Sequence, residues 1–181
     1  MGSFVGFPLA GLAAKAVTGP IDSTVAAVAG GLAAGAVLGG VQAFALRLDL
    51  QHRVAWAIAT ALGASAGLAV GSTVVDFATD TSSLVTMGAF TGLGIGVAQA
   101  AVMVGSPLRR AIWGVITPIL WALGWLITSQ VIVDVDAQYA TFGASGALVA
   151  TLLGGVVLAV GPATANSSTV VGAGRSFSGV Q

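Results

Sequence analysis

One pattern occurs twice in this chain at a fixed distance, and it restricts the fold to an internally repeated helical one. Setting Gln42 on Gln99 gives an offset of 99 − 42 = 57 residues. At that offset, without gaps, Gly31, Gly35, Gly39, Gln42, Ala43, Arg53, Trp56, Thr60 and Gly67 fall on Gly88, Gly92, Gly96, Gln99, Ala100, Arg110, Trp113, Thr117 and Gly124. The shared formula is G-x3-G-x3-G-x2-Q-A, then R-x2-W-x3-T-x6-G. Self-similarity at one period marks a repeated supersecondary unit.

The unit is built for lipid. Of 181 residues, 56% are apolar and only 7% are charged, whereas soluble domains run near a quarter charged. A crossing needs about 20 predominantly apolar residues. Five stretches qualify, at about 24–46, 54–75, 84–104, 111–133 and 140–161. Residues 1–21 are broken by Gly6, Pro8 and Gly11 and read as a short helix lying in the interface. Asp22 or Ser23 can cap the first span. Residues 162–181, rich in Ser, Gly and Thr, read as a flexible tail. The expected fold is therefore an all-α, polytopic membrane helix bundle. Five transmembrane helices come from a duplicated hairpin (31–67 and 88–124) plus a half-copy (140–161).

The charges give an orientation. Arg47, Arg53, Arg109 and Arg110 fall in the first and third turns, and Arg175 in the tail; Asp76, Asp80, Asp134 and Asp136 fall in the second and fourth. Basic residues mark the cytoplasmic side. With five spans, the N-terminus is outside and the C-terminus cytoplasmic.

Gly31, Gly35 and Gly39, and likewise Gly88, Gly92 and Gly96, lie on single i, i+4 ridges, as do Gly63, Gly67 and Gly71. No hydrophobic effect pairs helices in a bilayer, so close contact between small residues must do it. Gln42 and Gln99 carry amides that lipid cannot satisfy, so they must face protein. Their recurrence suggests that they face each other or equivalent backbone groups. The bland role is an interhelical hydrogen bond; the sharper one is a contact to a transported solute at a repeat interface. Arg53 with Trp56, and Arg110 with Trp113, read as anchors at headgroup depth. Pro118, Trp121 and Trp125 replace Ala61, Ala64 and Leu68 of the first copy. Such a bulky, kinked face suits a docking partner.

Some chemistries are excluded. No Asp, Glu, Lys or His lies within an expected span, which argues against proton relays and ion pathways. There is no cysteine, no metal-ligand cluster and no catalytic constellation, so no enzyme activity, cofactor or metal is expected. A formal net charge of zero offers nothing to nucleic acid. The hairpin formula, small-x3-G-x2-Q then R-x2-W-x3-T across residues 31–124, resembles a set of uncharacterised bacterial multi-pass membrane proteins with tandem Gly/Gln/Trp hairpins. That resemblance implies a bacterial plasma membrane protein and no particular chemistry. The leading expectation is a non-catalytic integral subunit that packs against and stabilises a larger membrane complex. The alternative is a small-solute or lipid transporter with its site near Gln42 and Gln99.

Overall fold

The computed structural model describes residues 2–131 and 138–160. These form six helices and no strand: α1 (Gly2–Thr18), α2 (Thr24–Ala45), α3 (Leu50–Val74), α4 (Thr81–Val102), α5 (Pro107–Val131) and α6 (Ala144–Val160). Four of them, α2 to α5, are long and apolar enough to cross a membrane, and α1 and α6 are shorter apolar helices. The four long helices mark a membrane protein. Asp134, Asp136 and Arg175, used above for orientation, lie outside the described residues, as does the tail from 161 onward.

Three of the helices start at a side-chain cap. Ser23 accepts from the Ala26 amide, Asp49 from that of His52, and Asp80 from those of Ser82 and Ser83. A side-chain oxygen there satisfies amides that have no partner within the helix. Pro107 opens α5, where its missing N–H removes no helical bond. The hydroxyls of Ser82 and Ser83 also donate to Asp80 and hold its carboxyl down at about 2. The Asp49 carboxyl is lowered too, first by the His52 backbone amide and then by the His52 ring.

Consecutive helices pack side by side from α1 to α6, and α6 returns to touch α1. The glycine ridges lie in these seams. A Cβ on Gly31 or Gly35 would stand 2.6 Å from the Cα of Ser65 or Ala61 on α3. One on Gly92 would stand 2.7 Å from the Cα of Pro118 on α5. On the other side of α3, Gly63 and Gly67 abut the carbonyls of Gly94 and Phe90 on α4, and Gly71 abuts Met87. Contact this close leaves room for no side chain.

The N-terminal segment corrects its expectation. Instead of lying flat in the interface, α1 runs antiparallel along α2: Gly6 faces Leu38 and Val41, and Gly30 faces Ala14 and Thr18. Phe7, Ala10 and Ala14 share one helix face and are all buried. That small face lets α1 lie close, and Pro8 is accommodated inside the helix.

The partner face is corrected as well. Trp121 and Trp125 are only 5% and 3% exposed. They turn inward against Phe142, at ring-centroid distances of 5.0 and 6.3 Å, and Trp121 also meets Phe7 at 5.8 Å. Pro118 backs onto Gly92. The large rings absent from the first copy fill the space between α5, α6 and α1, so they serve this chain's own core.

Candidate functional site

Gln42 stands near the end of α2 and Gln99 near the end of α4, both one turn before the arginine-bearing turns. The close α2–α3 and α3–α4 seams bring the two amides together. Gln99 is fully buried. Its Nε2 donates to Gln42 Oε1 at 2.9 Å and to Thr60 Oγ1 at 2.8 Å. Its Oε1 accepts from Trp113 Nε1 at 2.9 Å, and Gln42 Oε1 accepts from Trp56 Nε1 at 3.2 Å. The hydroxyls of Thr60 and Thr117 each donate to the backbone carbonyl four residues back, that of Trp56 and of Trp113. Residues 57 apart thus make matching bonds within each hairpin.

The tryptophans differ from expectation. Trp56 and Trp113 are 4% and 8% exposed, and their rings approach each other at 6.4 Å. An indole N–H usually finds a partner when buried, and here each glutamine carbonyl supplies one. They are therefore interior hydrogen-bond donors rather than headgroup anchors. The arginines stay near the surface. Arg53 donates through Nε to the Leu48 carbonyl and lies 5.4 Å over the Phe44 ring, and Arg110 is exposed.

The amide donors are saturated at Gln99 and open at Gln42. Both Gln99 Nε2 hydrogens have acceptors, whereas among the described residues nothing accepts from Gln42 Nε2. Gln42 lines a cavity of about 250 Å³ together with Gln99, Trp113, Thr117 and, from α6, Thr151. Thr151 Oγ1 is buried without a hydrogen-bond partner. Among the described residues no charged side chain lines this space, and none offers a carboxylate, imidazole or thiolate there to a metal or a proton. It offers an amide donor, hydroxyls and indole walls.

Comparison of the chain with known protein families, curated proteins and solved structures finds no match.

A second cavity, of about 320 Å³, lies toward the opposite end, lined by Pro8, Leu12, Lys15, Trp125 and Tyr139 among others. Phe7 lines both cavities. It stacks on Phe142 at 4.6 Å, so a ring cluster of Phe7, Phe142 and Trp121 stands between them.

Sequence reasoning picked out both glutamines but gave no role to Thr60 or Thr117, although both recur at the repeat offset. Phe7 carried no sequence signal at all.

Proposed function

We propose that this chain is a multi-pass protein of a bacterial plasma membrane that takes small uncharged polar solutes into the Gln42–Gln99 cavity and passes them across the bilayer. The observation that carries this is the Gln42 amide nitrogen, which lines the cavity without a protein acceptor. Gln42 is half-buried, and its amide N–H groups are left to a guest that can accept from them. The second cavity beyond the Phe7 cluster supports a route from one end of the bundle to the other. The lack of lining charge suits neutral solutes.

In this reading the two hairpins descend from a duplication, and α1 and α6 cross as shorter helices beside them. Six crossings, rather than the expected five, put both the start of α1 and the end of α6 on the arginine side, which is cytoplasmic. An accessory role in a larger complex stays the alternative, although the Trp121–Trp125 face offered for a partner is buried inside the chain.

The test is solute flux. Purified protein in liposomes should pass small neutral solutes such as glycerol, acetamide or urea faster than empty liposomes in stopped-flow light scattering. Gly154→Leu, which places a side chain in the cavity wall near Leu120 and Trp113, should slow it. Flux equal to that of empty liposomes, together with stoichiometric companion subunits after mild extraction, would restore the accessory reading.

A further inference from the structure

The hydrogen bonds already made at Gln99 specify the guest. Gln99 Nε2 binds two acceptors, Gln42 Oε1 and Thr60 Oγ1. Each has a counterpart 57 residues on, namely Gln99 Oε1 and Thr117 Oγ1. Thr117 Oγ1 donates to Trp113 O and, among the described residues, accepts from nothing. Gln99 Oε1 holds one bond, from Trp113 Nε1, and a carbonyl oxygen can take two. A third glutamine, projecting from the next helix in the series, would donate its two N–H groups to this pair. Its carbonyl would in turn accept from Gln42 Nε2, as Gln42 Oε1 accepts from Gln99. That helix is α6, and facing the cavity it carries Ala150, Thr151, Gly154 and Gly155. Small residues stand where the third carboxamide would be, and both its acceptors and its donor remain.

We propose that this cavity binds a primary carboxamide or urea, whose C=O accepts from Gln42 Nε2 and whose NH2 donates to Thr117 Oγ1 and Gln99 Oε1. The proposal rests on the solute reading above and narrows it to one functional group. The group is planar and neutral, with two donors on one side and an acceptor on the other. Alcohols lack that geometry, and carboxylates have no donor and bring a charge that nothing here neutralises. The Thr151 hydroxyl, buried and unpartnered, is a further contact on the same guest. Trp56 and Trp113 wall the cavity and report its occupancy.

Tryptophan emission of the detergent-purified full chain, titrated with millimolar acetamide, urea, N,N-dimethylacetamide and glycerol, tests this. Acetamide and urea should give saturable changes, and dimethylacetamide, which has the carbonyl without the N–H groups, should neither bind nor compete. Thr117→Val keeps the shape and removes the acceptor, and should weaken acetamide about fivefold, the worth of one hydrogen bond. Gln42→Leu should abolish the response; a Gln42→Leu sample that elutes as aggregate is set aside and Thr117→Val decides. If glycerol or dimethylacetamide binds as tightly as acetamide, or Thr117→Val changes nothing, the carboxamide assignment falls while a solute site stands. If no solute alters emission or liposome flux, both readings fall.

Discussion

Gln99 donates to Gln42 across 2.9 Å, from α4 to α2, with α3 supplying Thr60 and Trp56 to the same pair. The bond is directional: the buried residue gives its protons, and the half-buried one keeps its own for the cavity.

Replacing Gln99 should therefore hurt stability more than replacing Gln42. Gln99→Leu strands the Trp113 indole N–H and removes one donor from Gln42, and should cost about 1–3 kcal/mol. Gln42→Leu strands the Trp56 indole N–H and one Gln99 N–H but breaks two bonds where Gln99→Leu breaks three, and should cost less. The coupling between the two, from a double-mutant cycle of unfolding in mixed micelles, should come out near 0.6–1.7 kcal/mol, as for other interhelical bonds in membranes.

Glycines of one helix should respond in opposite ways to alanine. Gly35→Ala drives a methyl group into the α3 backbone at Ala61 and should lower the melting temperature sharply. At Gly40 a Cβ meets nothing within 4 Å, so Gly40→Ala should be neutral or should stabilise by up to about 1 kcal/mol through helix propensity. Equal losses at both sites would refute the close α2–α3 seam.

The α4 cap sets a pH dependence. Asp80 titrates at about 2 in the fold, below the 3.8 of an ordinary Asp, because the Ser82 and Ser83 hydroxyls donate to it. A carboxylate lowered by folding stabilises above its unfolded value, and that stabilisation is lost as pH falls from about 3.8 to about 2. Amide exchange at Ser82 and Ser83 should accelerate through that window in the native chain. In Asp80→Ala it should be fast, with no titration step there.

Phe7 should behave as a stopper. Phe7→Ala removes the ring that stacks on Phe142 and borders both cavities. Solute flux into liposomes should rise and become less selective, while thermal stability falls by about 3–5 kcal/mol. Flux that falls in step with the folded fraction would show that the ring only supports the core.

The chain has no cysteine, so single substitutions map sidedness directly. Cysteines at Gln51 and Leu108, in the arginine-bearing turns, should react with an impermeant maleimide from one face of sealed vesicles. Those at Asp22 and Ser82 should react only from the other. Labelling of all four from one face would overturn the topology.

The glutamine pair was legible because lipid leaves a primary amide no alternative to a protein partner. The four long helices and the cap of the first were legible for similar reasons, since length, apolarity and a Ser or Asp at a start are local properties. The Trp56 and Trp113 positions were misread because depth in the bilayer is visible in a sequence and rotation about the helix axis is not. Both residues stand close to the arginine-bearing turns, as anchors would, and turn toward Gln42 and Gln99. Trp121 and Trp125 were misread for a related reason. Their rings fill space opened by Phe142 and Phe7, far away in the chain. The packing of α1 was not legible because Pro8 and two glycines suggested a break, whereas Gly6 and Ala14 are what fit it to α2.

The antiparallel course of α1 bears on what keeps it in place. Its 17 residues span about 25 Å, short of the roughly 30 Å hydrocarbon thickness, and its one basic residue, Lys15, sits at the trailing end. Alone it has neither the length nor the flanking charge to hold a direction, so the seam with α2, where Gly6 meets Leu38 and Gly30 meets Ala14, must orient it.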